Sequence, residues 1–180
     1  MEPVQAQTPD PRRWQALALV CVAFFMTVLD GTIVVVALPS IKDSLHVSDT
    51  TLQWVLIAYT ITFGGLLLLG GRAADLFGRR RLFMIGVTIF SAASLVCGLA
   101  STIGVLIAAR GLQGVGAAIV SPAVLSIITT TFEEGPERNK ALGIWGAIGG
   151  SGAAAGVLFG GIRARRHRPD RPLVDERVRG

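Results

Sequence analysis

Two residues carry charge where the surrounding chain is apolar. Asp30 lies within the run Trp14 to Leu38, and Arg110 within the run Ile103 to Ile128. An ionised side chain at the centre of a bilayer costs at least about 2.5 kcal/mol, so each needs a partner or water and each is a functional candidate by default. The chemistry open to such a pair is capture and release of a proton or cation by the carboxylate, with the guanidinium as its positive neighbour. Gln113, one helical turn past Arg110 on the same face, adds an amide that both donates and accepts. A static pair that orients two helices and never titrates uses the same residues.

Their depths are comparable. Asp30 stands eight residues before Leu38, a rise of about 12 Å, and Arg110 stands seven after Ile103, about 10 Å. Both are therefore expected in the outer half of a membrane, facing one polar cavity between the first and fourth helices.

A second group of charges forms a loop, Gly71-Arg-Ala-Ala-Asp75-Leu-Phe-Gly78-Arg79-Arg80-Arg81. Two long apolar runs are joined here by few residues, so the turn is tight, and Gly71 and Gly78 let the backbone take it without Cβ clashes. Asp75 can accept from helix-end amides or pair with the arginines, which hold the loop at an anionic leaflet. A plain membrane-surface anchor needs only the arginines. Farther on, Gly152, Gly156 and Gly160 recur every four residues, with Gly161 following, and line one helix face that another helix can approach closely.

The remaining polar residues suggest no further chemistry. His46 lies in a polar loop and reads as solvated, Gly114 and Gly116 read as helix packing, and Pro122 is the candidate kink. Cys21 and Cys97 both lie in apolar runs and read as apolar filler, which excludes a disulfide framework. No metal cluster, nucleophile triad or phosphate loop is present, so the expectation is a protein that is not an enzyme and uses no metal or cofactor.

The elements that position these residues follow from composition. Of 180 residues, 51% are apolar and only 16% charged, against about 25% charged in soluble domains, and the mean hydropathy is +0.58. The class expected is an all-α membrane protein. Five runs are long enough to cross about 30 Å of hydrocarbon: about 14–38, ending at Pro39, then 52–71, 82–100, 103–128 and 141–162. Residues 1–13 form a polar lead expected to be disordered and cytoplasmic.

Orientation comes from basic residues near the spans. With the amino terminus inside, the inner segments hold Arg12, Arg13, Arg72, Arg79, Arg80, Arg81, Arg138 and Lys140, and the outer loops hold only Lys42, which predicts a cytoplasmic amino terminus and a multi-pass plasma-membrane protein. Residues 162–180 break the pattern. Seven arginines against Asp170, Asp175 and Glu176 give this stretch +4, leaving +1 of the total +5 for everything before it. The basicity that could suggest nucleic acid is thus confined to a tail, which reads as a truncation or frame-error product, a solvated irregular segment, or a binding arm; no nucleic-acid partner is expected.

The loop motif resembles the G-x-L-a-D-r-x-G-R-[KR] motif of the major facilitator superfamily, with Ala73 in place of Leu and Leu76 in place of Arg. Three further segments resemble motifs of its fourteen-span drug/proton antiporter branch. Leu29 to Pro39 is similar to the first-helix motif, with Val35 in place of Asn; Arg110-Gly-Leu-Gln113-Gly114-Val-Gly116 is similar to the fourth-helix motif; and Gly152 to Gly161 is similar to the fifth-helix antiporter motif, with Val157 in place of Pro. The resemblance covers about residues 14–161 and implies five helices of the N-terminal half of a major facilitator bundle.

The function so implied is proton-coupled multidrug efflux by alternating access, driven by a proton gradient and acting on small amphipathic organic compounds. Asp30, Arg110 and Gln113 would serve coupling and the substrate cavity, while Gly71, Asp75, Gly78, Arg79 and Arg80 would latch the cytoplasmic loop. Gly152, Gly156, Gly160 and Gly161 would lie where two halves rock. Partners implied are the lipid bilayer and either the missing C-terminal helices or another copy of the chain. The alternative expectation is a truncated, transport-inactive membrane fragment or a small oligomeric membrane protein.

Overall fold

The computed structural model describes residues 11–166, with side-chain surroundings through Ser151 and at Ala154. It contains five helices: α1 (Arg13–Leu45), α2 (Asp49–Phe77), α3 (Arg79–Gly98), α4 (Ile103–Thr131) and α5 (Pro136–Arg166). Among the described residues, α1 to α4 are long and apolar enough to cross a membrane. The first ten residues of the expected lead and residues 167–180 of the basic tail lie outside the described residues.

Short polar signals cut the chain into helices. Ser48 and Thr102 are extended residues whose hydroxyls accept from the amides of Thr51 and Val105, capping α2 and α4. His46 closes α1 in the left-handed region at φ 50°. Pro136 opens α5, where its missing N–H costs nothing. Arg138 then reaches back to the carbonyls of Phe132 and Thr129, both at 2.9 Å, and so satisfies the open end of α4.

Three expected boundaries are corrected. The first helix does not stop at Pro39 but continues to Leu45 with Pro39 inside it. Proline forfeits one bond, to the carbonyl four residues back, and such a loss is tolerated in a long helix; the change at Pro39 is from apolar to polar, not from helix to loop. Likewise α2 runs to Phe77, so Gly71 is a helical residue in ordinary contact with Pro122 of α4, 3.6 Å from its Cβ position, and plays no part in the turn. The tail expected to be irregular from residue 162 begins as helix through Arg166, there being no breaker in Ile-Arg-Ala-Arg-Arg.

The hub of the bundle is α4. Half of its most apolar stretch is buried, against 11–22% for α1, α2 and α3. It packs along its length on α2 and α3, whereas α1 packs chiefly on α5. Small residues make this possible. A Cβ at Gly114 would lie 2.6 Å from the Tyr59 carbonyl oxygen and collide with Thr62, and one at Gly116 would lie 2.7 Å from the Phe90 amide nitrogen. Two glycines two residues apart thus bring α4 into backbone contact with α2 on one side and α3 on the other. The outer faces carry large exposed apolar side chains, Leu68, Leu69, Leu95 and Leu99 among them, as a lipid-facing surface requires.

Candidate functional site

Asp30 of α1, Arg110 of α4 and Gln113 of α4 form a closed triangle. Arg110 Nη1 donates to Asp30 Oδ2 at 2.6 Å and to Gln113 Oε1 at 2.7 Å, and Gln113 Nε2 donates to Asp30 Oδ1 at 2.7 Å. Both carboxylate oxygens therefore accept, one from a cation and one from an amide. The Arg110 side chain is 1% exposed and that of Asp30 17%, so the site is nearly closed. The two charges meet in direct contact between α1 and α4.

Helical geometry explains the triangle. Residues 110 and 113 share a face, and the close approach permitted by Gly114 draws that face of α4 against α2. There Arg110 Nε donates to the Val55 carbonyl at 3.4 Å, and the guanidinium carbon lies 4.3 Å from the centre of the Tyr59 ring. Cys97 of α3, expected to be filler, lies with its thiol 3.7 Å from Gln113 Oε1, within donating range. Sequence reasoning missed Tyr59, Val55 and Cys97. A tyrosine four residues after a valine in an apolar run does place ring and carbonyl on one helix face, a signal that gains meaning only once Arg110 is known to arrive there.

The loop residues are differently placed. Asp75 at the end of α2 and Arg79 at the start of α3 form an ion pair of 3.6 Å, with the side chains 60% and 37% exposed. Arg80 is exposed beside them. Gly78 is the turn itself, with φ +94° and open space around its Cβ position; there a side chain would be strained by the backbone and not by a neighbour. The structure brings Asp75, Gly78, Arg79 and Arg80 together and sets Gly71 two turns back. Gly152, Gly156, Gly160 and Gly161 fall on the backbone of α5, but their surroundings lie outside the described residues. Among the described residues no group of three or more His, Cys, Asp or Glu side chains could hold a metal ion.

Comparison with known proteins puts this arrangement in context. The sequence profile of the Major Facilitator Superfamily matches residues 20–165. The chain is 54% identical over 162 residues to the puromycin resistance protein pur8 of Streptomyces alboniger, covering 90% of the chain and 32% of that protein. It is 47% identical over 147 residues to the cephamycin export protein CmcT of Amycolatopsis lactamdurans, covering 82% of the chain and 30% of that protein. Among solved structures, a bacterial homologue of the human lysosomal transporter Spinster, inward-facing and unoccupied, superposes with a TM-score of 0.75 at 25% identity over 86% of this chain and 32% of its own. The chain thus spans about a third of the length of the proteins it matches.

Proposed function

Because the chain belongs to the Major Facilitator Superfamily, a group of transporters and not of enzymes, we propose that its helices serve proton-coupled export of small amphipathic organic compounds by alternating access. It is a multi-pass membrane protein related to drug efflux proteins. On this proposal the amino terminus is cytoplasmic, α5 crosses the bilayer as the fifth span, and its glycine face meets a moving neighbour. Export belongs to an assembly larger than this chain, which supplies the remaining helices or further copies. The exposed Asp75 and Arg80 and the half-buried Arg79 latch the cytoplasmic loop against that assembly.

The observation that carries the proposal is the buried triangle. In its closed form both oxygens of Asp30 accept hydrogen bonds. A proton added to either removes the negative charge that faces the Arg110 guanidinium and leaves weaker acceptors, so the triangle loosens. Rotating the Gln113 amide would not repair it, because its oxygen already accepts from Arg110 and from the Cys97 thiol. Proton arrival thus weakens the polar link between α1 and α4 and favours their separation, which is the link that coupling requires.

The test is a chimera in which residues 14–161 replace the matching third of the Streptomyces alboniger puromycin resistance protein. Host cells are expected to grow in puromycin, and Asp30→Asn to abolish that growth with the protein still in the membrane. Growth unaffected by Asp30→Asn would end the coupling role. Vesicles holding this polypeptide alone give proton-dependent flux only if copies assemble; flux in the chimera but not in such vesicles assigns export to the larger assembly. Flux in neither rejects the proposal.

A further inference from the structure

The guanidinium of Arg110 is fixed on several sides, and only one of its partners belongs to α1. Asp30 of α1 holds Nη1, while the Val55 carbonyl and the Tyr59 ring, both on α2, hold Nε and the flat face. Gln113 is on α4 itself and is held in turn by Cys97 of α3. We propose that Tyr59 is a positioning residue for coupling: its ring seats Arg110 on α2, so that neutralising Asp30 releases α1 and leaves the guanidinium in place.

A cation over an aromatic face is attracted by the ring quadrupole, and the attraction grows as water is removed. Arg110 is 1% exposed, so the condition is met. The seat is rigid. Tyr59 stacks on Phe63, one turn along α2, with ring centres 5.8 Å apart and planes 9° from parallel. Gly114, one turn beyond Arg110, presses α4 on the Tyr59 carbonyl, which fixes the height at which Arg110 meets the ring. By contrast, α1 packs chiefly on α5, so the helix that loses its hold has another partner to move with. That Asp30 is neutralised in a working cycle rests on the export proposal; the seating of Arg110 does not.

Tyr59 is the single tyrosine of the chain, so isotope-labelled tyrosine gives one ring signal by NMR of the whole polypeptide in lipid nanodiscs. Asp30→Asn is expected to leave that signal close to its wild-type position, whereas Arg110→Gln displaces it. Should Arg110→Gln not assemble, Arg110→Lys, which keeps charge but loses the planar face, provides the displaced reference. A displacement by Asp30→Asn equal to that of the Arg110 variant overturns the proposal, as does a signal indifferent to Arg110. In the chimera, Tyr59→Leu is expected to cut export about tenfold and Tyr59→Phe to restore most of it, since the ring face and not the hydroxyl does the holding; equal loss in both also overturns it. The NMR result does not depend on transport, so a chain that exports nothing still decides the role of Tyr59, and an Asp30→Asn chimera that exports normally defeats only the coupling role.

Discussion

Asp30 with Arg110 and Asp75 with Arg79 are both carboxylate and guanidinium pairs, and they sit in opposite surroundings. The first is 2.6 Å long, closed by Gln113 and almost wholly shielded; the second is 3.6 Å long, four residues apart in sequence and well exposed. The first joins two helices through residues 80 apart in the chain, and the second merely spans a turn. Shielding is what separates them. Where water cannot replace a lost partner, removing one member leaves the other uncompensated, and where it can, the loss is small.

This contrast can be broken by measurement, beginning with the largest effect. Arg110→Ala removes donors from Asp30 and Gln113 together and is expected to destabilise the bundle by about 3–5 kcal/mol, read from unfolding in mixed micelles as the denaturing detergent fraction rises. Next is Gly116→Val, which pushes α4 from the α3 backbone at a cost of about 1–3 kcal/mol. It leaves the triangle's chemistry intact, and a double mutant with Arg110→Ala shows whether packing and polar closure are independent. Gly78→Ala strains only the turn and is expected to cost about 1 kcal/mol, at the low end for residues forced to positive φ. Asp75→Asn should cost no more than about 1 kcal/mol, and less as salt is raised. Equal losses at Asp75 and at Arg110 would erase the distinction between the two pairs.

Much of the site was legible because charge inside an apolar run is rare and helical rise converts sequence distance to depth. That arithmetic set Asp30 and Arg110 at nearly one height, and the spacing of Gln113 put it on the Arg110 face. What escaped was the seat. Tyr59 and Cys97 are ordinary members of apolar runs, and their contacts with Arg110 and Gln113 depend on how closely α2, α3 and α4 approach. Gly114 and Gly116 hint at that approach without naming the partner across it. Pro39 and Gly71 misled for a related reason: each stands at a change from apolar to polar chain, and the helices continue beyond the apolar part.

The separation between Asp30 and Arg110 also bears on how the chain is made. A ribosome adding about 5–20 residues per second needs about 4–16 s to cover the 80 residues that separate them. For that interval α1 must enter the membrane carrying an acid with neither Arg110 nor Gln113 yet synthesised. The emergence of α4 supplies both partners at once and also fills the gaps along α2 and α3, so the fourth helix closes the polar triangle before α5 follows to cover α1.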